Sequence, residues 1–235
     1  MKELELLNIN ESLKELYKKY WDSYLYHVRD SGPEPAAFPF LISAPDSYLH
    51  SDQRVMICGQ ETQGWGNEFD NQSRVNCETI LEIYEKFVGP DDDRKSGYNS
   101  PYWRFINSIM AVHTDKEFVM NNIVKIGRRY GSGCNDLINE LSLKFFPINK
   151  KELEILKPDY LIFLTGPKYD ERIKKNLGEF KIKKISNELK CIDFLIFEDK
   201  SLPIAIRCYH PRYIQMKNKW DEYLNIIHSY LRNKL

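Results

Sequence analysis

Three side chains able to handle charge or read a polar edge stand at turns of this sequence. Glu61 lies in the glycine-rich stretch Gly59-Gln60-Glu61-Thr62-Gln63-Gly64-Trp65-Gly66, Asn122 in Asn121-Asn122-Ile123-Val124-Lys125, and His210 in Tyr209-His210-Pro211-Arg212-Tyr213. A carboxylate supplies a fixed anion or orients a water, an amide both donates and accepts, and an imidazole changes protonation near neutral pH. Trp65, and after it Phe69, are the candidates to stack on a planar ligand. Each residue also has a plain structural alternative. Glu61 would cap a helix or pair with a base, His210 would be a buried structural histidine, Asn122 would satisfy loop backbone groups, and Trp65 would be core.

Alternating elements must position these groups. Four short apolar runs bounded by turn residues, Val55 to Cys58, Phe118 to Val124, Tyr160 to Thr165 and Ile204 to Tyr209, read as buried parallel strands. A further run, 191–197, reads as an edge strand. Helical periodicity covers 11–29, 78–88, 101–112 with Pro101 in its first turn, 135–145 and roughly 217–233. The proline-rich stretch between the first helix and the first strand reads as an extended loop packed by Phe38, Phe40 and Leu41. This order implies a three-layer α/β/α domain on a central, mainly parallel four-stranded twisted sheet, with function at the carboxyl ends of the strands. Glu61, Asn122, the turn at Gly166-Pro167 and His210 all follow such ends.

The 235 residues fit one domain spanning 1–235, and 42% hydrophobic with 13% aromatic content provides a sizeable core. Lys and Arg together number 34, as do Asp and Glu, so no overall field advertises a polyanionic partner and any such binding must be local. Residues 59–99 hold nine acids against four bases, which marks an acidic insertion at about 67–99 that includes Asp91, Asp92 and Asp93. Residues 118–135 carry Lys125, Arg128 and Arg129 with no acid, and 201–235 hold six bases against two acids. Neither a signal-peptide core nor an apolar run of membrane-span length is present, so a cytoplasmic protein with no membrane partner is expected. The five cysteines are odd in number and never spaced as CxxC, which predicts reduced thiols, no zinc or iron–sulfur site and no cofactor.

Taken together, the motifs resemble the uracil-DNA glycosylase superfamily, whose members carry a GQD-P or GE-PG type turn, an asparagine near the second strand and a His-Pro-Ser motif after the last. GQETQGW is similar to the first, NNIVK to the asparagine segment, KPDYLIFLTG to the third strand and YHPRY to the histidine loop, an ordered set over about residues 54 to 214. The chain departs from the pattern at Thr62, where the family has proline, and at Arg212, where it has serine.

The resemblance implies N-glycosidic cleavage of uracil or a related damaged base in DNA. Glu61 and His210 would be catalytic, the first positioning water and facing the sugar cation, the second donating to the departing base. Gln60, Asn122, Trp65 and Phe69 would bind the base; Lys125, Arg128, Arg129 and Arg212 would meet the nucleic-acid backbone, single-stranded or duplex; Tyr213 or Ile214 would serve as a wedge. The alternative is a non-catalytic or retuned member of the fold that binds nucleic acid, a nucleotide or a protein partner.

Overall fold

The computed structural model describes residues 2–30, 35–69, 75–88, 99–113, 116–131 and 133–232, with the side chains of 2–8 and 68 excepted. The acidic cluster Asp91 to Asp93 and most of the charged part of the insertion lie outside the described residues.

All the expected strand runs form strands. They are β1 (Gln53–Gly59), β2 (Lys116–Asn122), β3 (Tyr160–Phe163), β5 (Asp193–Phe197) and β6 (Ala205–Arg207), joined by an unexpected β4 (Phe180–Lys184). The sheet therefore has six strands rather than four, in the order β2-β1-β3-β6-β5-β4. β2, β1, β3 and β6 run parallel, while β5 is antiparallel to both β6 and β4. The 191–197 run is thus not at the edge. β4 takes that place, and its sequence FKIKK has too few apolar residues to signal a strand, although lysines suit a free sheet edge.

The expected helices appear as α1 (Lys2–Tyr24), extended by a π-turn at Leu25–Arg29, α3 (Cys77–Val88), α4 (Pro101–Met110), α5 (Asp136–Phe145) and α9 (Trp220–Arg232). Four shorter ones were not expected: α2 (Asp46–His50), α6 (Asn149–Leu156), α7 (Asp170–Leu177) and α8 (Pro211–Met216). Local chemistry fixes their starts. Ser100 Oγ accepts from Trp103 N at 3.3 Å ahead of Pro101, and Asn135 Oδ1 accepts from Ile138 N at 2.6 Å.

Strand alternation separates the two faces of the sheet. Met56 and Asn121 point to α1 and α6, where Asn121 meets Glu152 of α6 and Met56 Sδ. Tyr160 pairs in register with Val55, of opposite parity to Met56, and its ring packs edge-on against Tyr230 of α9 at 5.3 Å. The sheet therefore lies between an α1/α6 layer and an α4/α8/α9 layer. Phe38, Phe40 and Leu41 are buried, as their stretch required.

Candidate functional site

The carboxyl ends of β1, β2 and β3 are bound to one another by their own backbones. Ile123 N donates to Gly59 O at 3.1 Å, Val124 N to Gln60 O at 3.0 Å, and Leu164 N to Cys58 O at 2.9 Å. A side chain on Gly127 would collide with the carbonyl of Thr62, so the β1 turn and the loop after β2 approach as closely as glycine allows. Gln60 Nε2 donates to Thr165 O at 2.7 Å. The amide nitrogen of Gln60 thus ties the β1 turn to the end of β3.

Glu61 projects from this turn, half-buried, and Tyr169 donates its hydroxyl to Glu61 Oε2. Tyr169 lies just past β3, in a short 3₁₀ turn begun by Gly166-Pro167, with its ring 5.0 Å from the Arg172 guanidinium. Burial, with Glu61 next, pushes the Tyr169 hydroxyl well above its ordinary pKa, which keeps it a donor to the carboxylate.

Adjacent asparagines at the end of β2 face opposite ways. Asn121 enters the α1/α6 layer, whereas Asn122, in register with Gly59, faces α4. A side chain on Gly59 would strike Asn122 Oδ1 and come within 2.8 Å of the Tyr102 hydroxyl, so this glycine leaves room for both polar groups. The Tyr102 oxygen is buried and has no hydrogen-bond partner among the described residues. Its ring stacks on that of His210, centroids 5.5 Å apart and planes 20° apart.

His210 is the N-cap of α8, ahead of Pro211 at the first helical position. Its Nδ1 accepts from Arg212 N at 3.2 Å, so in the neutral ring the proton sits on Nε2. Burial, and secondarily the charge of Arg212, lowers the His210 pKa. The ring is therefore a neutral Nε2–H donor at pH 7.

Other expected site residues lie elsewhere or do other work. Lys125 is 1% exposed, pairs with Glu152 Oε2 at 2.6 Å, and donates to Phe40 O at 3.1 Å and to Asn121 Oδ1. It holds the core and cannot meet a phosphate. Trp65 packs edge-on against Phe40 at 4.8 Å and Phe87 at 5.3 Å, so it belongs to an aromatic cluster rather than to a lid. Phe69 is half-buried against the same core. Ile214 is 1% exposed and cannot act as a wedge, whereas Tyr213 is 39% exposed, packs on Tyr209 at 4.2 Å, and has exposed Met216 beyond it. Arg128 and Arg129 are half-buried, with Arg129 5.3 Å from the exposed ring of Tyr130, and Arg212 is exposed.

Sequence reasoning missed Tyr102 and Tyr169. Tyr102 was one aromatic among several in PYWRFINSIMAV, and only the Gly-Pro turn before Tyr169 hinted at a site. All five cysteines are free, and burial pushes Cys58 and Cys208 up to about 12, so neither is a nucleophile at neutral pH.

No family model matches the sequence, and no curated protein matches it either. Among solved structures, the chain is similar to wild-type SMUG2 of Pedobacter heparinus, with 13% identity and a TM-score of 0.43 over 91% of this chain and 99% of that one.

Proposed function

We propose that this chain is a base-excision N-glycosylase, a divergent member of the uracil-DNA glycosylase superfamily that hydrolyses the glycosidic bond of uracil or a related altered base. One observation carries the reading. A carboxylate after β1, an amide at the end of β2 and a neutral imidazole after β6 share the carboxyl edge of the parallel strands of one mixed sheet, with Asn122 and the Tyr102 hydroxyl both bordering Gly59 and the Tyr102 ring stacked on His210.

The chemistry suits that set. As the C–N bond breaks, positive charge develops on the sugar and negative charge on the departing base. Glu61, steadied by the Tyr169 hydroxyl, orients the attacking water and faces the sugar cation. The extra methylene of glutamate over aspartate makes this tether important, because about 1 Å of displacement costs on the order of 100-fold. The Nε2–H of His210 donates to the base anion without being a full acid, and the Asn122 amide reads the base edge. Arg128, Arg129 and Arg212 would meet phosphates.

Single-turnover excision from single- and double-stranded oligonucleotides carrying uracil, hypoxanthine or oxidised pyrimidines tests this. Glu61→Gln and His210→Ala should each slow excision by on the order of 10²- to 10³-fold. Asn122→Ala should relax the choice of base, and single strands should be preferred because no pairing or stacking has to be broken. If folded wild-type protein releases no base, or Glu61→Gln matches wild type, the catalytic reading fails and a binding module replaces it.

A further inference from the structure

With Lys125 buried, Arg128, Arg129 and Arg212 remain of the expected phosphate contacts, and β4 with the turn after it adds further cations. Residues 180–190 contain four lysines, Lys181, Lys183, Lys184 and Lys190, against one acid, Glu188. All four lysines are exposed, and among the described residues none makes an ion pair. Neighbouring charges behave differently. Lys174 of α7 pairs with Glu171 at 3.3 Å and Glu179 at 3.5 Å, and Asp193 beside β4 is taken by Arg207 at 3.1 Å.

The sheet register sets where these lysines stand. Lys184 pairs with Asp193, Asp193 with Arg207, Arg207 with Phe163, Phe163 with Cys58 and Cys58 with Asn121. One row therefore crosses the whole sheet at its carboxyl edge, one residue before Gly59 and Asn122 and three before His210. At about 4.8 Å between strands, Lys184 lies roughly 10 Å from the strand that leads to His210, and roughly 19 Å from β1. Beyond Phe180, β4 is exposed on both faces, so Lys183 and Lys184, which point to opposite faces, straddle the edge.

We propose that Lys183 and Lys184, with Lys190 on the following turn, form the far end of a track for the phosphate backbone of single-stranded nucleic acid that passes His210 and Arg212. This rests on the glycosylase reading for what the track serves, but not for how it is measured. Phosphates contacted by lysines release counterions, and for single strands each contact contributes about 0.7 to the slope of log affinity against log salt.

The test is fluorescence anisotropy of a labelled oligothymidylate, which offers backbone without a target base, at several salt concentrations. Lys183→Gln/Lys184→Gln should flatten the slope by about 1.4 and weaken binding. Size-exclusion chromatography of the same variant covers the other role of edge lysines, which is to prevent strand-to-strand pairing. Self-association with unchanged affinity and slope would overturn the track, as would failure of wild type to bind the oligomer at low salt. Excision separates the two readings. An active wild type with no change of slope in the variant sinks the track alone, whereas binding that follows the lysines without any excision sinks the glycosylase and leaves the track.

Discussion

Replacing Lys125 by methionine separates a core ion pair from a phosphate contact. The Lys125 ammonium, 1% exposed, lies 2.6 Å from Glu152 Oε2, and Glu152 is itself 0% exposed. Glu152 keeps two neutral donors, Tyr17 at 2.8 Å and Asn121 at 3.1 Å, but loses its only counter-charge among these contacts. Breaking a buried pair from one side costs about 3–5 kcal/mol, because an uncompensated charge stays behind. For a domain of this size, about 2–4 °C per kcal/mol translates this into a Tm lower by roughly 6–20 °C. The loss should depend on pH. Burial raises the Glu152 pKa and Lys125 is the largest influence lowering it, so the variant's carboxyl titrates higher still. The native variant then binds more protons than its unfolded chain above about pH 4, and its deficit shrinks as the pH falls toward that value. Lys125→Met/Glu152→Leu should recover most of the Tm, since apolar replacement of a buried pair is often neutral or stabilising. Thermal melts of the single and double variants across pH are the assay. If Lys125→Met melts within about 1 °C of wild type while its oligonucleotide binding loses about 0.7 of salt slope, the side chain reaches a phosphate and the buried pair is wrong.

Two further outcomes are expected. Tyr102→Phe removes a buried hydroxyl that has no partner among the described residues, so it should leave the unfolding free energy unchanged or raise it, by up to about 1–3 kcal/mol; a loss of more than about 1 kcal/mol would mean that the hydroxyl is bonded in the folded protein. Burial lowers the pKa of both His210 and His228, with Arg212 and Arg232 adding to it, so below about 6.5 the unfolded chain binds more protons than the native one. Stability from these sites is complete above about pH 6.5 and is lost as the pH falls through their lowered folded values. The Tm should drop as the pH falls below about 6.5, and His210→Asn, which keeps a capping acceptor, should reduce that drop; a variant that follows the wild-type curve would remove His210 as a cause.

The parallel strands were legible because they are continuous apolar runs, which only a sheet covered on both faces accommodates. β4 was not, since its only well-buried residue is Phe180. α6 and α7 were hidden for a related reason. NKKELEIL and DERIKKNL each offer two or three apolar anchors among charges, too few to mark a helix without knowing what they pack against. Lys125 shows the limit of charge counting. Its sign is visible in the sequence, but its burial depends on Glu152, 27 positions later, coming to meet it.

The paired asparagines show most clearly what a motif can and cannot say. The sequence shows Asn121-Asn122 at a strand end, and either amide is chemically able to read a base. Strand alternation gives the two residues opposite faces, and the register of β2 on β1 decides which is which. Asn121 falls in line with Cys58 and Met56 and joins the Lys125–Glu152 network, where its Oδ1 also accepts from Asn122 N at 2.7 Å. Asn122 falls in line with Gly59, where the missing side chain admits both its amide and the Tyr102 hydroxyl. A one-residue slip of β2 would exchange these roles, placing Asn122 beside Glu152 and Asn121 toward Tyr102. The buried ion pair therefore bears on the site without touching a ligand, because its bonds to Asn121 favour the register that puts Asn122 beside Gly59 on the Tyr102 face.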